Sequence, residues 1–253
     1  MDKPLSHRTA LVTGGSGSIG GAIARALAGA GADIAVSYVG FKEGADTIVS
    51  EALDLGVKAV AVHLDQRDPA SVETCVGEVI AGLGGLDILI NNAGWNKGIL
   101  FPDLDGLDVD TWDRILETNL RGPFLLARAA ATALGKNGNG HIVNISSAGG
   151  IAPGSSSIAY SASKAGLNHL TRCLAVAMAP DVAVNCIAPG LVEGTRMANR
   201  LPEASAQGAR RTAVLGKVGQ LDDIARQVIA FCASESVTGQ TIVIDGGMPT
   251  AMR

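Results

Sequence analysis

The chain has 253 residues, 47% hydrophobic and 17% charged, enough apolar sequence for one large core, so a single domain over residues 1–253 is expected. A formal net charge of −4 with no cluster of Lys and Arg argues against nucleic acid or a membrane surface as partner, because phosphate-rich surfaces call for concentrated positive charge. The polar start, Met1 to Arg8, carries no signal-peptide core, and no apolar run is long enough to span a bilayer, so a cytoplasmic protein is expected.

Short β-branched runs alternate with alanine-rich segments, the pattern of a parallel sheet covered by helices, which makes the fold class α/β. Seven strands are predicted: Thr9 to Thr13, Ile34 to Tyr38, Ala59 to His63, Ile88 to Asn91, His141 to Ser146, Val182 to Ile187 and Thr241 to Ile244. Helices are predicted near 18–29, 43–55, 69–81, 110–134, 158–178 and 221–233. Two segments break the alternation, Trp95 to Asp110 and Leu191 to Gly219. Both follow strand C-termini, where the ligand crevice of an open parallel sheet lies, and the second is expected to be the substrate loop.

The first strand runs into Thr13-Gly14-Gly15-Ser16-Gly17-Ser18-Ile19-Gly20 and then a helix. Small residues in that context let the backbone approach a pyrophosphate and aim free helix N–H groups at it. The second strand ends in Ser37-Tyr38-Val39-Gly40-Phe41-Lys42 with no acid to accept bonds from an adenosine ribose, and Ser37, Tyr38 and Lys42 are candidates to face a 2′-phosphate, which favours NADP over NAD. Gly17 and Gly40 bring no cationic side chain to that end of the crevice, so NAD stays open as the alternative cofactor. Further on, Tyr160-Ser161-Ala162-Ser163-Lys164 places a phenol and an ammonium one helical turn apart. Lowering a tyrosine pKa from about 10 toward 7 is worth roughly 4 kcal/mol, and a fixed cation is one way to supply it. Cys75, Cys173, Cys186 and Cys232 have neither Cys-x-x-Cys nor Cys/His spacing and read as small buried hydrophobes, not metal ligands.

The glycine loop with Tyr160 and Lys164 resembles the short-chain dehydrogenase/reductase family, and the likeness extends over nearly the whole chain. Asn91-Asn92-Ala93-Gly94 is similar to its motif after strand four, Asn119 to its active-site asparagine, Pro189-Gly190 to the pair after strand six, and Thr238-Gly239-Gln240 with Asp245-Gly246-Gly247 to its C-terminal segment. Ser147 lies thirteen positions before Tyr160, the spacing of the bacterial 3-oxoacyl-carrier-protein reductases, and Ser146 is the structural neighbour on the other face of the strand end.

The resemblance implies a Rossmann fold and hydride transfer between a nicotinamide and a ketone or secondary alcohol. Tyr160 would be the acid/base, Ser147 would hold the carbonyl oxygen, Lys164 would lower the tyrosine pKa and hold the nicotinamide ribose, and Asn119 would anchor a water chain. The implied cofactor contacts are Gly14, Ser16, Ser18, Ile19 and Gly20 at the pyrophosphate and Asp65 near the adenine. Asn91, Ala93 and Gly94 would border the nicotinamide ribose, and Pro189, Gly190, Val192 and Thr195 the carboxamide.

Ser18 in place of a glycine, and the extra residue before Thr195, depart from the family pattern. The expected substrate is a small carbonyl or alcohol, free or carrier-bound, in a pocket with Ile99, Leu100, Leu191, Met197 and Leu201. Alternatives are an NAD-dependent dehydrogenase of a sugar, steroid or other secondary alcohol, and a non-catalytic nucleotide sensor. Trp95 either contacts substrate or fills the core, and Arg196, Arg200, Arg210 and Arg211 either attract an acidic partner or form a solvated lid. A homotetramer through the alanine-rich helices and C-terminal segment is implied by the relatives.

Overall fold

Strands that are apolar at nearly every position need cover on both faces, and the computed structural model, which describes residues 3–196, 198–200 and 202–251, shows that arrangement. The strands are β1 (Thr9–Val12), β2 (Asp33–Tyr38), β3 (Ala59–His63), β4 (Ile88–Asn91), β5 (Gly140–Ile145), β6 (Val182–Pro189) and β7 (Thr241–Ile244). All pair in parallel, in the order β3-β2-β1-β4-β5-β6-β7. The chain first winds outward from β1 to β3, then crosses to β4 and winds the other way. That reversal opens a crevice at the C-terminal ends of β1 and β4.

Helices α1 (Ser18–Gly29), α2 (Lys42–Asp54) and α8 (Leu221–Cys232) bury Ile23, Leu27, Ile48, Ile224 and Phe231 against one face, where Ile88, Ile90, Val143 and Ile145 point. Helices α3 (Pro69–Leu83), α5 (Gly122–Gly135) and α6 (Ile158–Ala177) cover the other, where Leu89, Ile142 and Val184 meet Val76, Leu126 and Leu174. Period-two alternation along each strand thus sorts its residues between two cores.

The structure divides the helix expected over 110–134. Helix α4 (Val109–Leu116) gives way to one π turn, Glu117–Arg121, before α5. The cause is local. Pro123 has no N–H for the carbonyl of Asn119, and the Gly122 N–H reaches back five residues to Glu117. The 191–219 segment is not irregular throughout: it contains α7 (Glu203–Thr212), which buries no side chain. Cys173 also departs from expectation, lying exposed on α6 while Cys75, Cys186 and Cys232 are buried.

Candidate active site

Strand β5 and helix α6 bring the chemistry together. Ser157 caps α6, its hydroxyl accepting the Tyr160 N–H at 3.2 Å, which fixes the first turn and the tyrosine on it. Ser147 sits just past β5 with extended backbone; its hydroxyl accepts the Gly149 N–H at 3.1 Å and lies close enough to Tyr160 to draw that phenol's pKa down. Ser146 faces the other way and donates to the backbone oxygen of Lys164 at 3.0 Å, so its part is to tie β5 to α6. Lys164 is 4% exposed; its Nζ donates to the Ile145 carbonyl at 2.8 Å and lies 5.7 Å from the Tyr160 ring centroid.

Asn119 completes the group from the π turn. Its side chain clamps the backbone of Trp95 in both directions, accepting the N–H at 2.8 Å and donating to the carbonyl at 2.9 Å, and it also donates to Ser163 Oγ at 3.2 Å. Gly94 lies between this clamp and the lysine: a Cβ there would be 3.3 Å from Asn119 Oδ1 and 3.7 Å from Lys164 Nζ. Trp95 is half-buried and stacks on the Arg114 guanidinium at 4.1 Å.

Burial governs the electrostatics. It pushes the Tyr160 phenol above its ordinary value, opposed only by the hydrogen bond from Ser147, and it pulls the Lys164 ammonium down to about 8. The expected lowering of the tyrosine by Lys164 is absent in this arrangement: the ammonium lies 5.7 Å from the ring centroid and donates its hydrogen bond to the Ile145 carbonyl.

The glycine loop forms a cradle that a side chain would fill. Gly14 has φ +61°, and a Cβ at Gly20 would lie 2.5 Å from the Gly14 carbonyl and 2.6 Å from Asn92 Nδ2. The first helical bond of α1 runs from Gly21 N–H to Gly17, leaving the amides of Ser18, Ile19 and Gly20 at the free positive end, with Ser16 half-buried just before them. Asn92 donates to the carbonyls of Thr13 and Gly14 at 2.9 and 3.2 Å, and Thr13 Oγ1 accepts the N–H groups of Asn92 and Ala93. The loop and the 91–94 segment therefore form one frame whose donor set suits a pyrophosphate.

Other expected contacts are placed differently. Asn91 is 2% exposed and donates to Asn144 Oδ1 at 2.8 Å, so its side chain belongs to the sheet interior and only its backbone borders the crevice. Ser37, also 2% exposed, accepts the Gly14 N–H at 3.1 Å and supports the loop from beneath, where a 2′-phosphate would not reach it. Asp65 gives both carboxylate oxygens to Arg67, which holds its pKa below the usual range. Tyr38 packs edge-on against His63, and Lys42, 5.9 Å over the Tyr38 ring, is paired with Asp46 at 2.7 Å.

Beyond β6, Gly190 abuts Asp245, leaving no room for a side chain after Pro189. Val192 points into the core and bridges Gly219, closing the base of the loop. Thr195 is 8% exposed, with its hydroxyl donating to the Val192 carbonyl and accepting the Ala198 N–H, so it caps its own turn. Arg210 is held by Glu193 and Glu203, whereas Arg196 and Arg211 are exposed; Met197 and Leu201 lie outside the described residues. Sequence reasoning passed over Gln66, Thr13, Asn92 and Ser163. The alternation of strand faces would have favoured Asn92 over Asn91 for loop contact.

A parallel sheet with its crevice at the switch point, a small-residue cradle at a helix N-terminus, and a Ser–Tyr–Lys–Asn group beside it define a nicotinamide-dependent oxidoreductase. The family model described as Enoyl-(Acyl carrier protein) reductase matches residues 14–249. A curated relative, 3-oxoacyl-(acyl-carrier-protein) reductase FabG of Staphylococcus aureus, is 36% identical over 245 residues, 95% of this chain and 98% of that protein. Among solved structures, a short chain dehydrogenase from Burkholderia cenocepacia in complex with NADP matches with TM-score 0.89 and 37% identity over 97% of this chain and 99% of that one. A blue fluorescent protein from a metagenomic library, in complex with NADPH, matches with TM-score 0.88 and 35% identity over 97% and 99%. The chain belongs to the short-chain dehydrogenase/reductase family. It is an NAD(P)-dependent oxidoreductase acting between ketones and secondary alcohols.

Proposed function

We propose that the protein reduces a 3-oxoacyl thioester or a related ketone with NADPH, using Ser147, Tyr160, Lys164 and Asn119. The observation that carries this reading is that Ser147 and Lys164 flank one half-buried tyrosine, the serine drawing its pKa down and the lysine Nζ 5.7 Å from its ring centroid. The nicotinamide, when bound, supplies the hydride; the chain's own groups manage the oxygen and the proton.

Ser147 Oγ binds the carbonyl oxygen as negative charge develops there, and the Tyr160 hydroxyl gives it a proton. Burial makes the resulting phenolate costly, and Lys164, 5.7 Å from the ring centroid, offsets that cost once its ammonium turns from the Ile145 carbonyl toward the phenolate. Asn119 sits where the helical ladder is broken by Pro123, and its backbone carbonyl is the acceptor for a water that returns the proton through Lys164. The cradle at Gly14, Ser16, Ser18, Ile19 and Gly20 would hold the pyrophosphate. Ala93, Gly94 and the Asn91 backbone would border the ribose, and Pro189, Gly190 and the backbone of Val192 and Thr195 the carboxamide.

Preference for NADPH is supported by the acid-free end of β2 and by the relatives solved with NADP and NADPH. The decisive measurement is oxidation of NADPH and of NADH with a panel of 3-oxoacyl thioesters and simple ketones, for wild type and Tyr160→Phe. Equal rates in both proteins would remove Tyr160 from the mechanism, and a preference for NADH would favour a dehydrogenase of other secondary alcohols.

A cytoplasmic setting is supported by four cysteines that pair with none of their kind and by the lack, among the described residues, of a helix long and apolar enough to cross a membrane. A homotetramer is supported by two surfaces: the open edge of β7, and the groove at the π turn lined by Leu116, Leu120, Phe124 and Leu170. Light scattering that gives a monomer at micromolar concentration would refute it.

A further inference from the structure

The π turn that carries Asn119 leaves a specific vacancy in the helix's own bonding. In an α-helix the Thr118 carbonyl would receive the Gly122 N–H, but that N–H is committed to Glu117, and the next residue, Pro123, has none to give. A carbonyl in that position, buried without a donor, is costly. The side chain of Gln66 fills the role: its Nε2 donates to the Thr118 carbonyl at 2.6 Å and to the Ala93 carbonyl at 3.1 Å.

Both neighbours are acceptors, so the amide can face them only through its nitrogen. Gln66 is 4% exposed, and its Oε1 is buried without a protein partner, a cost the structure accepts to keep the nitrogen in place. Gly122 is a glycine for the same reason, since a Cβ there would be 2.8 Å from Gln66 Cγ. The bonds close a ring. Gln66 holds Thr118 and Ala93; Ala93 precedes Gly94 and Trp95; Trp95 is clamped by Asn119, and Asn119 follows Thr118.

We propose that Gln66 is a positioning residue for Asn119, a donor supplied from the adenine end of the crevice that stabilises the π turn and sets the distance between Asn119 and Lys164. The inference rests on the catalytic role given to Asn119 above. Gln66 acts on proton return and substrate turnover, not on the cradle at Gly14 to Gly20. Removing its donor lowers kcat and leaves cofactor affinity in place.

Three variants test it, with kcat, NADPH dissociation constant and thermal melting measured for each. Gln66→Met keeps the volume and loses the donor: kcat is expected to fall about tenfold or more with NADPH affinity within about twofold of wild type. A kcat within twofold of wild type, or a parallel loss of kcat and affinity, overturns the proposal. Gln66→Glu has a donor only when protonated. The charged groups on adjoining segments are the Asp65–Arg67 and Glu117–Arg121 pairs, Asp68 at the cap of α3, Arg114 stacked on Trp95, and Lys164 beyond Gly94, and none donates to the two carbonyls. Its activity relative to wild type is therefore expected to be highest at acid pH and to drop as pH rises. If Gln66→Met fails to fold, this profile decides, and one parallel to wild type overturns the idea. Asn119→Ala separates the two levels: near-normal turnover sinks the role of Asn119 and this inference with it, whereas an inactive Asn119→Ala beside a fully active Gln66→Met sinks the inference alone.

Discussion

The catalytic frame and the 191–219 loop are held by opposite means. Around Tyr160 the bonds are buried or part-buried and between fixed partners: Asn119 to the Trp95 backbone, Asn92 to Thr13 and Gly14, Ser146 and Lys164 between β5 and α6. The loop is fastened at its base by the Val192–Gly219 bridge, but α7 buries nothing and is tied down by the pair of Arg210 with Glu193, both side chains 39% exposed. Buried bonds give one geometry; exposed ion pairs contribute little and are screened by salt. Such a division suits an enzyme whose chemistry is fixed and whose substrate cover opens and adapts.

The largest effect expected within the frame comes from Lys164→Met. Turnover should fall by about a thousandfold or more if this cation supports the phenolate. Stability should move the other way. Burial holds the Lys164 pKa near 8, so below that pH the fold carries a charge it disfavours, and replacing it should add about 1–3 kcal/mol at pH 7 after the lost bond to Ile145 is counted. Because the cost is present below pH 8 and is relieved as pH rises toward the unfolded value of 10.5, the variant's advantage in denaturant midpoint should shrink over that interval. A variant less stable than wild type at pH 7 would show that the ammonium is better solvated than its burial implies.

Next comes the cradle. Gly20→Ala sets a methyl against the Gly14 carbonyl and the Asn92 amide, so the loop must move away from the 91–94 segment. NADPH affinity should weaken by about ten- to a hundredfold with a stability loss of about 1–3 kcal/mol. Unchanged affinity by fluorescence titration would mean that the nucleotide does not rely on this turn.

A buried group far from both regions gives an intermediate effect. His141, at the opposite end of β5, is 6% exposed, and burial with the nearby Arg8 charge lowers its pKa to about 4. The unfolded chain takes the proton near pH 6.5 and the fold resists it to about 4, so this contribution is whole above pH 6.5 and drains away as pH falls toward 4, by up to about 3 kcal/mol. His141→Gln should flatten that acid limb in chemical denaturation while leaving turnover at pH 7 near wild type.

Most of the sheet was legible because apolar runs between glycine-rich turns have few other ways to be buried, and Ser147, Tyr160 and Lys164 do gather at one phenol. What escaped were features set by a single backbone group or by side-chain direction. Pro123 breaks the ladder of an otherwise continuous alanine-rich helix, and only the missing N–H announces it. Asn91 and Ser37 look polar enough to meet a ligand, yet strand alternation turns one toward Asn144 and the other beneath Gly14. Helix α7 lacks an apolar stripe because it has no core to cover, so periodicity could not find it.

The smallest stability effect, and the one that bears most directly on the contrast between frame and loop, is expected from Arg210→Met. Arg210, near the end of α7, pairs with Glu203 at the start of the same helix and with Glu193 in the turn beyond β6, and Gln220 reaches Glu193 from the far end of the loop. Exposed pairs of this kind are worth about 0.2–1 kcal/mol, so the melting temperature should barely move. The loop's resting position should change nonetheless, since the ion pair that attaches α7 to Glu193 is lost. The KM for the carbonyl substrate should shift several-fold while NADPH affinity stays constant, and 0.5 M salt should produce a similar shift in wild type but little further change in the variant. If Arg210→Met instead lowers stability as much as Gly20→Ala does, the loop is part of the rigid frame and the contrast fails.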